Sequence, residues 1–429
     1  MNSETPPNLR RLPVRQENRP HAEATNEQAG RPHLFSAVTA CGLVAAILVA
    51  GRIVAVHVEQ THFPAVAPEV FLQKNQGLAF QRVAAHATNV LPGYGSSELA
   101  IGPAAERAAQ FFSGAPSGFQ LSVVAKPGAS SLTILEKIAA LGPDLRGRKV
   151  VISISPSWFL SPGVTPERYA TNFSAFAANA LAFGSGFDLD FKREIALRML
   201  EFPRTLAKRP LLNFALQRLA SPHGFDRLVY CAVWPLGKMH QTVLDLQDHF
   251  GALFHVLWER RHVPALHQSR LVDWEALISH ASSRTSSRGT EAETSPEAEK
   301  RLTAGTDANF RRRMNSTHEW SDFDLLLRAL ARMHAQPLLI STPICARCYG
   351  ESGVSSSARD IYYEKLRAFA RQYDFPLVDF AEHDSDPAFL DPQGYHLNAK
   401  GWIFYNRALD EFFHDTLPRS DSTAQQSGN

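Results

Sequence analysis

The chain has 429 residues, of which 44% are hydrophobic and 20% are charged. This composition is ordinary for a globular protein with a sizeable core, and the length allows one large domain or two of average size. Four cysteines are too few for a disulfide scaffold, and a formal net charge of +2 argues neither for nor against a polyanionic partner.

The N-terminal 33 residues are polar, with five arginines and few large apolar side chains. Such a segment cannot bury enough apolar surface to offset its ordering entropy, so residues 1–33 are predicted to be a disordered tail. Residues 34–57 then form an apolar run in which Arg52 is the only charged residue. The run is long enough to cross about 30 Å of hydrocarbon and is predicted to be a transmembrane anchor.

The arginines before the run favour a cytoplasmic N-terminus. The chain is therefore predicted to be a single-pass protein of the cytoplasmic membrane, with its larger part on the extracytoplasmic, periplasmic side. A cleaved signal peptide and a buried core helix are the alternatives. The run exceeds the ~7–15 apolar residues that are usual in a signal peptide.

Five short segments beyond the anchor have the composition of strands, and helical patterns at 130–141, 320–333 and 357–373 lie between them. The strand segments are residues 89–91, 119–125, 149–155, 337–341 and 375–380. Alternation of strands and helices predicts a parallel sheet with helices on both faces. We assign the domain to residues 58–416 and a disordered tail to 417–429.

A long helical insertion, at about residues 160–320, separates the third strand from the fourth. Its segment 191–220 is helical and basic. That segment can lie on anionic lipid, dock a membrane partner, or pack on the core with a solvated basic face. Residues 282–305 are polar and of low complexity, which predicts a flexible loop.

The cysteines indicate no metal site. Cys345 and Cys348 form a C-x-x-C motif without a second ligand pair, which favours a local disulfide over zinc, with two free thiols as the alternative. Cys41 lies in the apolar run, and Cys231 lies in a hydrophobic stretch that predicts burial. A glycine-rich phosphate loop is also missing from the sequence, so no cofactor is predicted.

Two distant segments contain the residue types of a serine hydrolase. Ser96 and Ser97 follow the first predicted strand, at the edge of the sheet where open α/β folds bind ligands. Asp391 and His396 follow the last strand, where a carboxylate can orient an imidazole that takes a serine proton. Both segments are predicted to meet at one sheet edge. The alternatives are that the serines only cap a helix and that His396 only closes a loop.

Four separated blocks resemble the DltD family of D-alanyl transfer proteins, within the SGNH (GDSL-type) hydrolase group. They are GSSEL at residues 95–99, Ser-Pro-x-Trp-Phe at 155–159, Glu-Trp-Ser-Asp-Phe at 319–323 and HLNAKGW at 396–402. The resemblance covers most of residues 85–415. It implies a three-layer α/β/α sandwich of the SGNH type around a five-stranded parallel sheet, with a helical insertion and one N-terminal transmembrane helix.

The resemblance also implies roles for individual residues. The nucleophile of the family's Gly-x-Ser motif falls on Ser97, and the catalytic histidine falls on His396. Gly128, in KPGASSL after the second strand, occupies the place of an oxyanion donor. Such a donor is typically worth ~3–4 kcal/mol of transition-state stabilisation.

The chain departs from the group's pattern at two places. An aspartate usually stands three residues before the histidine, but Gln393 is there, so Asp391 is favoured as the partner, with Asp386 or no acid as alternatives. The asparagine block of the oxyanion hole is replaced by SPSW. A thinner oxyanion hole than in soluble esterases is therefore expected.

By this resemblance the chain is expected to transfer D-alanyl groups through a serine ester to hydroxyls of an envelope polymer such as teichoic acid. The expected partners are a membrane-bound O-acyltransferase, an aminoacyl carrier protein with its ligase, and the glycopolymer acceptor, but no nucleic acid. Two alternatives remain: an envelope esterase with the same residues, and a non-catalytic adaptor of the membrane O-acyltransferase.

Overall fold

The computed structural model describes residues 30–259, 271–286 and 307–418, and the chain divides into two compact units, 1–51 and 52–429. The predicted N-terminal tail lies outside the described residues up to residue 29, and helix α1 (Gly30–Val66) begins directly after it. Residues 287–305 of the predicted loop and residues 419–429 of the predicted C-terminal tail also lie outside the described residues.

Helix α1 has the length and composition of a membrane-spanning helix over His33–Val66, as a signal sequence near an N-terminus also can. Apolar side chains of its first half, such as Leu34, Phe35 and Ile47, are exposed. Such exposure is unlike a core helix, in which an apolar stripe is buried. Composition and exposure together agree with the predicted anchor.

The predicted parallel sheet of five strands is confirmed. The strands are β1 (Val90–Gly95), β2 (Gln120–Ala125), β3 (Lys149–Ile154), β4 (Gln336–Ser341) and β5 (Leu377–Val378). They are all parallel, in the order β2-β1-β3-β4-β5. The carboxyl ends of β1 and β2 are neighbours, which places the GSSEL turn beside the loop that contains Gly128.

Two strand bounds differ from the predicted ones. We expected β1 to end at residue 91, but it continues through Gly95, because Pro92 to Gly95 pair with Ser122 to Ala125 of β2. The cross-strand ladder outweighs the turn preference of Pro and Gly here. The last strand is reduced to Leu377 and Val378, which pair with β4 on one side only.

Helices connect the strands and cover the sheet. Before β3 lie α2 (Leu72–Gln76), α3 (Ala79–His86), α4 (Ala108–Phe111) and α5 (Ser131–Leu141). Between β3 and β4 lie α6 (Pro156–Phe159), α7 (Pro166–Asn172), α8 (Ala175–Phe183), α9 (Leu189–Met199), α10 (Pro203–Leu206), α11 (Pro210–Ala220), α12 (Gly224–Glu259), α13 (Trp274–Ser286), α14 (Asp307–Ser316) and α15 (Glu319–Arg332). After β4 come α16 (Ala346–Gly350), α17 (Ser356–Tyr373) and α18 (Ala399–Phe413). The three predicted helices match α5, α15 and α17 to within one residue at each end.

Alternate side chains of each strand enter separate cores on the two faces of the sheet. Val150 and Ile152 of β3 belong to the core that includes Leu135 of α5. Val151, between them, belongs to the opposite core with Trp402 of α18. Because both faces are covered by helices, this part of the chain has three layers, and its strands are largely buried, apart from the partly buried edge strand β5.

The basic segment 191–220 is helical, as predicted, and is divided among three helices because Pro203 and Pro210 each start a new helix. Leu212 and Leu216 of α11 are buried in the main core, so this segment packs on the domain through its apolar face. Farther along, residues 282–286, expected in a flexible loop, instead form the end of α13.

Helix α12 exposes a row of large apolar side chains. They are Phe225, Leu228, Leu236, Met239, Phe254, Leu257 and Trp258. Cys231, which the sequence predicted to be buried, is exposed on the same helix. The prediction was wrong because a hydrophobic stretch indicates burial only where another element covers it. Exposed apolar surface of this extent is typical of a contact with a membrane or partner.

Candidate active site

The site begins at the turn after β1. Gly95 ends the strand, and a tight 3-10 turn, Ser97–Leu99, follows Ser96. A Cβ atom at Gly95 would lie 2.5 Å from Glu98 Oε1 and 3.0 Å from Ser153 Cβ. Only glycine therefore lets the chain turn back over β3 here and hold the two serines at the carboxyl edge of the sheet.

The two serines of this turn have different surroundings. Ser96 is 3% exposed, and its hydroxyl donates to Lys126 O (3.3 Å) and accepts the N–H of Gly128 (3.1 Å). It joins the turn after β1 to the loop after β2. Ser97 is only partly buried. The sequence left open which serine faces the cleft, and the structure leaves the hydroxyl of Ser97 the more accessible one.

Asp391 and His396 lie opposite each other across a short hairpin. The chain turns at residues 391–394, where Gly394 N–H donates to Asp391 O (2.8 Å), and Asp391 N–H donates to His396 O (2.7 Å). Leu390 and Leu397 form an antiparallel bridge beside them. Asp391 Oδ2 lies 3.2 Å from His396 Nδ1. The two residues can therefore pair although they are five positions apart rather than the usual three, because the turn at residues 391–394 accommodates the two additional residues.

The carboxylate of Asp391 is well satisfied, since its Oδ1 also accepts the N–H of Tyr395 (2.8 Å). Burial alone raises the pKa of Asp391, but the hydrogen bonds from His396 and Tyr395 outweigh burial, so the pKa lies below its usual value. Asp391 is therefore ionised near neutral pH beside the imidazole. Asp386, the alternative acid, binds Lys400 Nζ instead (2.6 Å).

A disulfide supports this hairpin. Cys345 and Cys348 are bonded, as the C-x-x-C motif predicted. Gly394 has a φ of +72° and lies so close to the disulfide that a Cβ atom would be 2.4 Å from Cys348 Sγ. Arg347 also donates to Pro392 O (2.8 Å). The turn that carries Asp391 and His396 is thus packed directly on the disulfide.

Glu98 is a site residue that sequence reasoning missed. It is 2% exposed, and its Oε1 accepts the N–H of Ser96 (2.5 Å), while Oε2 has no hydrogen-bond partner among the described residues. Burial raises the pKa of Glu98 to about 7, against the backbone hydrogen bond from Ser96 and the charge of His396. The sequence offered no signal for it, because a charged residue in a turn ordinarily indicates the surface.

Gly128 lines a small cleft beside the serine turn. Its other lining residues are Ala129, Ser130, Trp158, Ser161, Gly163, Val164, Arg168 and Glu319. Gly128 has a φ of +81°, and its N–H is bound to Ser96 Oγ in this structure. To act as an oxyanion donor, this N–H must exchange the hydroxyl of Ser96 for the substrate oxygen.

The arrangement brings the four predicted residues to one edge of the sheet, with one gap. Within the described part of the chain, the hydroxyl of Ser97 is not hydrogen-bonded to His396, which contacts Asp391. The turn and the hairpin nevertheless pack into one core, since Leu99 of the turn and Leu397 beside His396 belong to the same buried cluster. Catalytic hydrogen bonds are often long before substrate binds.

Comparison with known proteins gives one family. The family model described as "DltD protein" matches residues 67–414. The chain is 26% identical to Protein DltD of Bacillus subtilis (strain 168) over 359 residues, which is 81% of this chain and 88% of that protein. It is 24% identical to Protein DltD of Lacticaseibacillus rhamnosus, over 67% of this chain and 69% of that protein. It is 21% identical to Protein DltD of Staphylococcus aureus (strain NCTC 8325 / PS 47), over 66% and 70%. The family match spans the serine turn and the Asp391–His396 hairpin.

Proposed function

Because the chain belongs to the DltD family of D-alanyl transfer proteins, we propose that it is a serine acyltransferase that esterifies hydroxyls of a cell-envelope polymer with D-alanyl or a similar acyl group. The observation that carries the proposal is the Asp391–His396 pair, whose hairpin packs into the same core as the turn that contains Ser97. These residues and the parallel sheet fit a hydrolase-like fold of the SGNH type.

In the proposed reaction, Ser97 Oγ attacks the carbonyl carbon of an activated acyl group while His396 Nε2 takes the hydroxyl proton. Asp391 holds the Nδ1–H and stabilises the imidazolium. The imidazolium then protonates the leaving group, and the acyl group remains on Ser97 as an ester. An acceptor hydroxyl, deprotonated by His396, attacks this ester, and the proton returns to Ser97 Oγ.

Ser97 rather than Ser96 is assigned as the nucleophile. The hydroxyl of Ser96 is buried and joins two loops, so its attack on a carbonyl would require that both of its hydrogen bonds break. Ser97 is partly exposed, and its hydroxyl makes no such hydrogen bonds with the residues that the structure describes. The predicted oxyanion donor is the N–H of Gly128. When the oxyanion forms, this N–H leaves the hydroxyl of Ser96 and donates to the substrate oxygen, which stabilises the negative charge.

We place residues 34–57 in the cytoplasmic membrane as an anchor and the domain, residues 58–416, on its outer side. The exposed apolar side chains of α12 support a location at a membrane surface, because soluble domains rarely expose so many large apolar side chains on one helix. The proposed partners are a membrane-bound O-acyltransferase, an aminoacyl carrier protein system and the acceptor glycopolymer.

The experiment uses the full-length protein in lipid nanodiscs, a D-alanyl thioester as donor and glycerol as acceptor. Mass spectrometry separates glyceryl D-alanine from free D-alanine. The proposal expects the glyceryl ester from the wild type and neither product from Ser97→Ala. Release of free D-alanine without the glyceryl ester would indicate that the protein is an esterase. Envelope esterification that persists in cells carrying Ser97→Ala would make it a non-catalytic adaptor.

A further inference from the structure

The cleft beside Gly128 contains a buried carboxylate that the proposed mechanism does not use. Glu319 starts α15, is 1% exposed and lines the same cleft as Gly128 and Trp158. Its Oε1 accepts the N–H of Ser131, the first residue of α5, at 2.7 Å. Ser131 is three residues beyond Gly128, so the carboxylate lies close to the place where the acyl carbonyl is expected to bind.

Glu319 has no ion-pair partner among the described residues, although an arginine lies near it. Arg198 is committed to Asp322, with contacts of 2.8 Å and 3.1 Å, and to Glu201, at 2.5 Å. Arg168 lines the cleft but is exposed to solvent. A buried carboxylate normally has a cationic or hydrogen-bonded partner for each oxygen, and among the described residues the hydrogen bonds to the Glu319 carboxylate come from Ser131 alone.

The pKa of Glu319 reflects its burial beside another carboxylate. Burial and the charge of Asp322 raise the pKa of Glu319 to about 7, while the contacts with Ser131 and the charge of Arg198 lower it. An ammonium group in the cleft would favour the ionised carboxylate, since an opposite charge within about 4–6 Å lowers the pKa of an acid.

We propose that Glu319 binds the α-ammonium group of the acyl donor, so that the site selects aminoacyl groups over simple acyl groups of the same size. This proposal rests on the proposed acyl transfer and names the residue that recognises one end of its substrate. In this arrangement the acyl carbonyl lies at Gly128 and Ser97, and the ammonium group lies at Glu319. Trp158 of α6 lines the same cleft.

The test compares a D-alanyl thioester with the propionyl thioester, which lacks only the amino group, using the full-length protein and glycerol. Glu319→Gln keeps a carbonyl oxygen for Ser131 N–H but removes the charge. It is expected to lower kcat/KM for the alanyl donor about 10- to 100-fold, because one charge-assisted hydrogen bond is lost. The kcat/KM for the propionyl donor should stay within about twofold of the wild-type value. Glu167→Gln, which removes an exposed carboxylate one residue before Arg168, is the matched control and should change neither.

Equal losses for both donors in Glu319→Gln, or no loss for the alanyl donor, would overturn the proposal. A binding measurement separates this result from failure of the proposed transfer. In a Ser97→Ala background, D-alanine methyl ester should raise Tm more than methyl propionate does, and Glu319→Gln should abolish that difference. A preference that survives Glu319→Gln contradicts the ammonium site even if the protein transfers no acyl group.

Discussion

His396 Nδ1 lies 3.2 Å from Asp391 Oδ2 across a turn that also sets the backbone of the two residues against each other, with Asp391 N–H donating to His396 O at 2.7 Å. The carboxylate therefore orients the ring through both a side-chain and a backbone contact.

Replacement of Asp391 should affect turnover far more than replacement of Asp386. Asp391→Asn keeps the shape but removes the charge that holds the imidazole, so kcat should fall by about 10³–10⁴-fold. Asp386→Asn loses only the contact with Lys400 and should stay within about threefold of the wild type. Steady-state kinetics on the D-alanyl thioester measure both. Similar losses in the two variants would exclude Asp391 as the orienting acid.

Substitution of the two serines of the GSSEL turn should have different effects, on turnover for Ser97 and on stability for Ser96. Ser97→Ala should lower kcat at least about 10³-fold, because it removes the attacking oxygen, with little change in stability. Ser96→Ala leaves the N–H of Gly128 without its acceptor and should lower the free energy of unfolding by about 1–2 kcal/mol. Kinetics and urea unfolding of both variants distinguish the roles. A larger catalytic loss in Ser96→Ala would reassign the nucleophile.

Glu98 should make stability depend on pH. Because burial raises the pKa of Glu98 in the folded protein from 4.5 to about 7, the folded state binds this proton more tightly than the unfolded chain does. Its contribution is complete below about pH 4.5 and is lost as pH rises through about 7. Relative to Glu98→Gln, the wild type should lose about 3 kcal/mol of stability over this range.

Urea unfolding of the wild type, Glu98→Gln and the exposed control Glu167→Gln at several pH values measures this difference. The control curve should run parallel to the wild type, since Glu167 is solvated in the folded chain. Parallel curves for the wild type and Glu98→Gln would show that Glu98 does not titrate in the folded protein as its burial implies.

Gly394 should be intolerant of any side chain. Gly394→Ala would place a Cβ atom 2.4 Å from Cys348 Sγ at a φ of +72°, so the turn must shift and carry Asp391 away from His396. We expect kcat to fall about 10- to 100-fold, with a loss of about 1–3 kcal/mol in the free energy of unfolding. Gly350→Ala is the control, because no atom lies within 4 Å of its Cβ position. Unchanged kinetics in Gly394→Ala would mean that the hairpin is not held by the disulfide.

The sequence alone determined the elements whose signals are local. Alternating strand and helix patterns predicted the five-stranded parallel sheet and helices α5, α15 and α17, because periodicity reflects which side of an element is buried. An apolar run indicated a helix that is long and apolar enough to cross a membrane. Residue type and order along the chain also singled out Ser96, Ser97, Asp391 and His396 as candidates, and the family resemblance favoured Ser97 as the nucleophile.

Only the tertiary structure decided which groups meet and which are buried. Ser96 binds Gly128, 32 residues away, and Glu319 binds Ser131, 188 residues away, and no local pattern encodes either contact. Glu98 is buried within the serine turn although a charged residue ordinarily indicates the surface, while Cys231 is exposed although its neighbours are apolar. Burial and pairing depend on what packs against a residue from distant parts of the chain, and that is a property of the folded molecule.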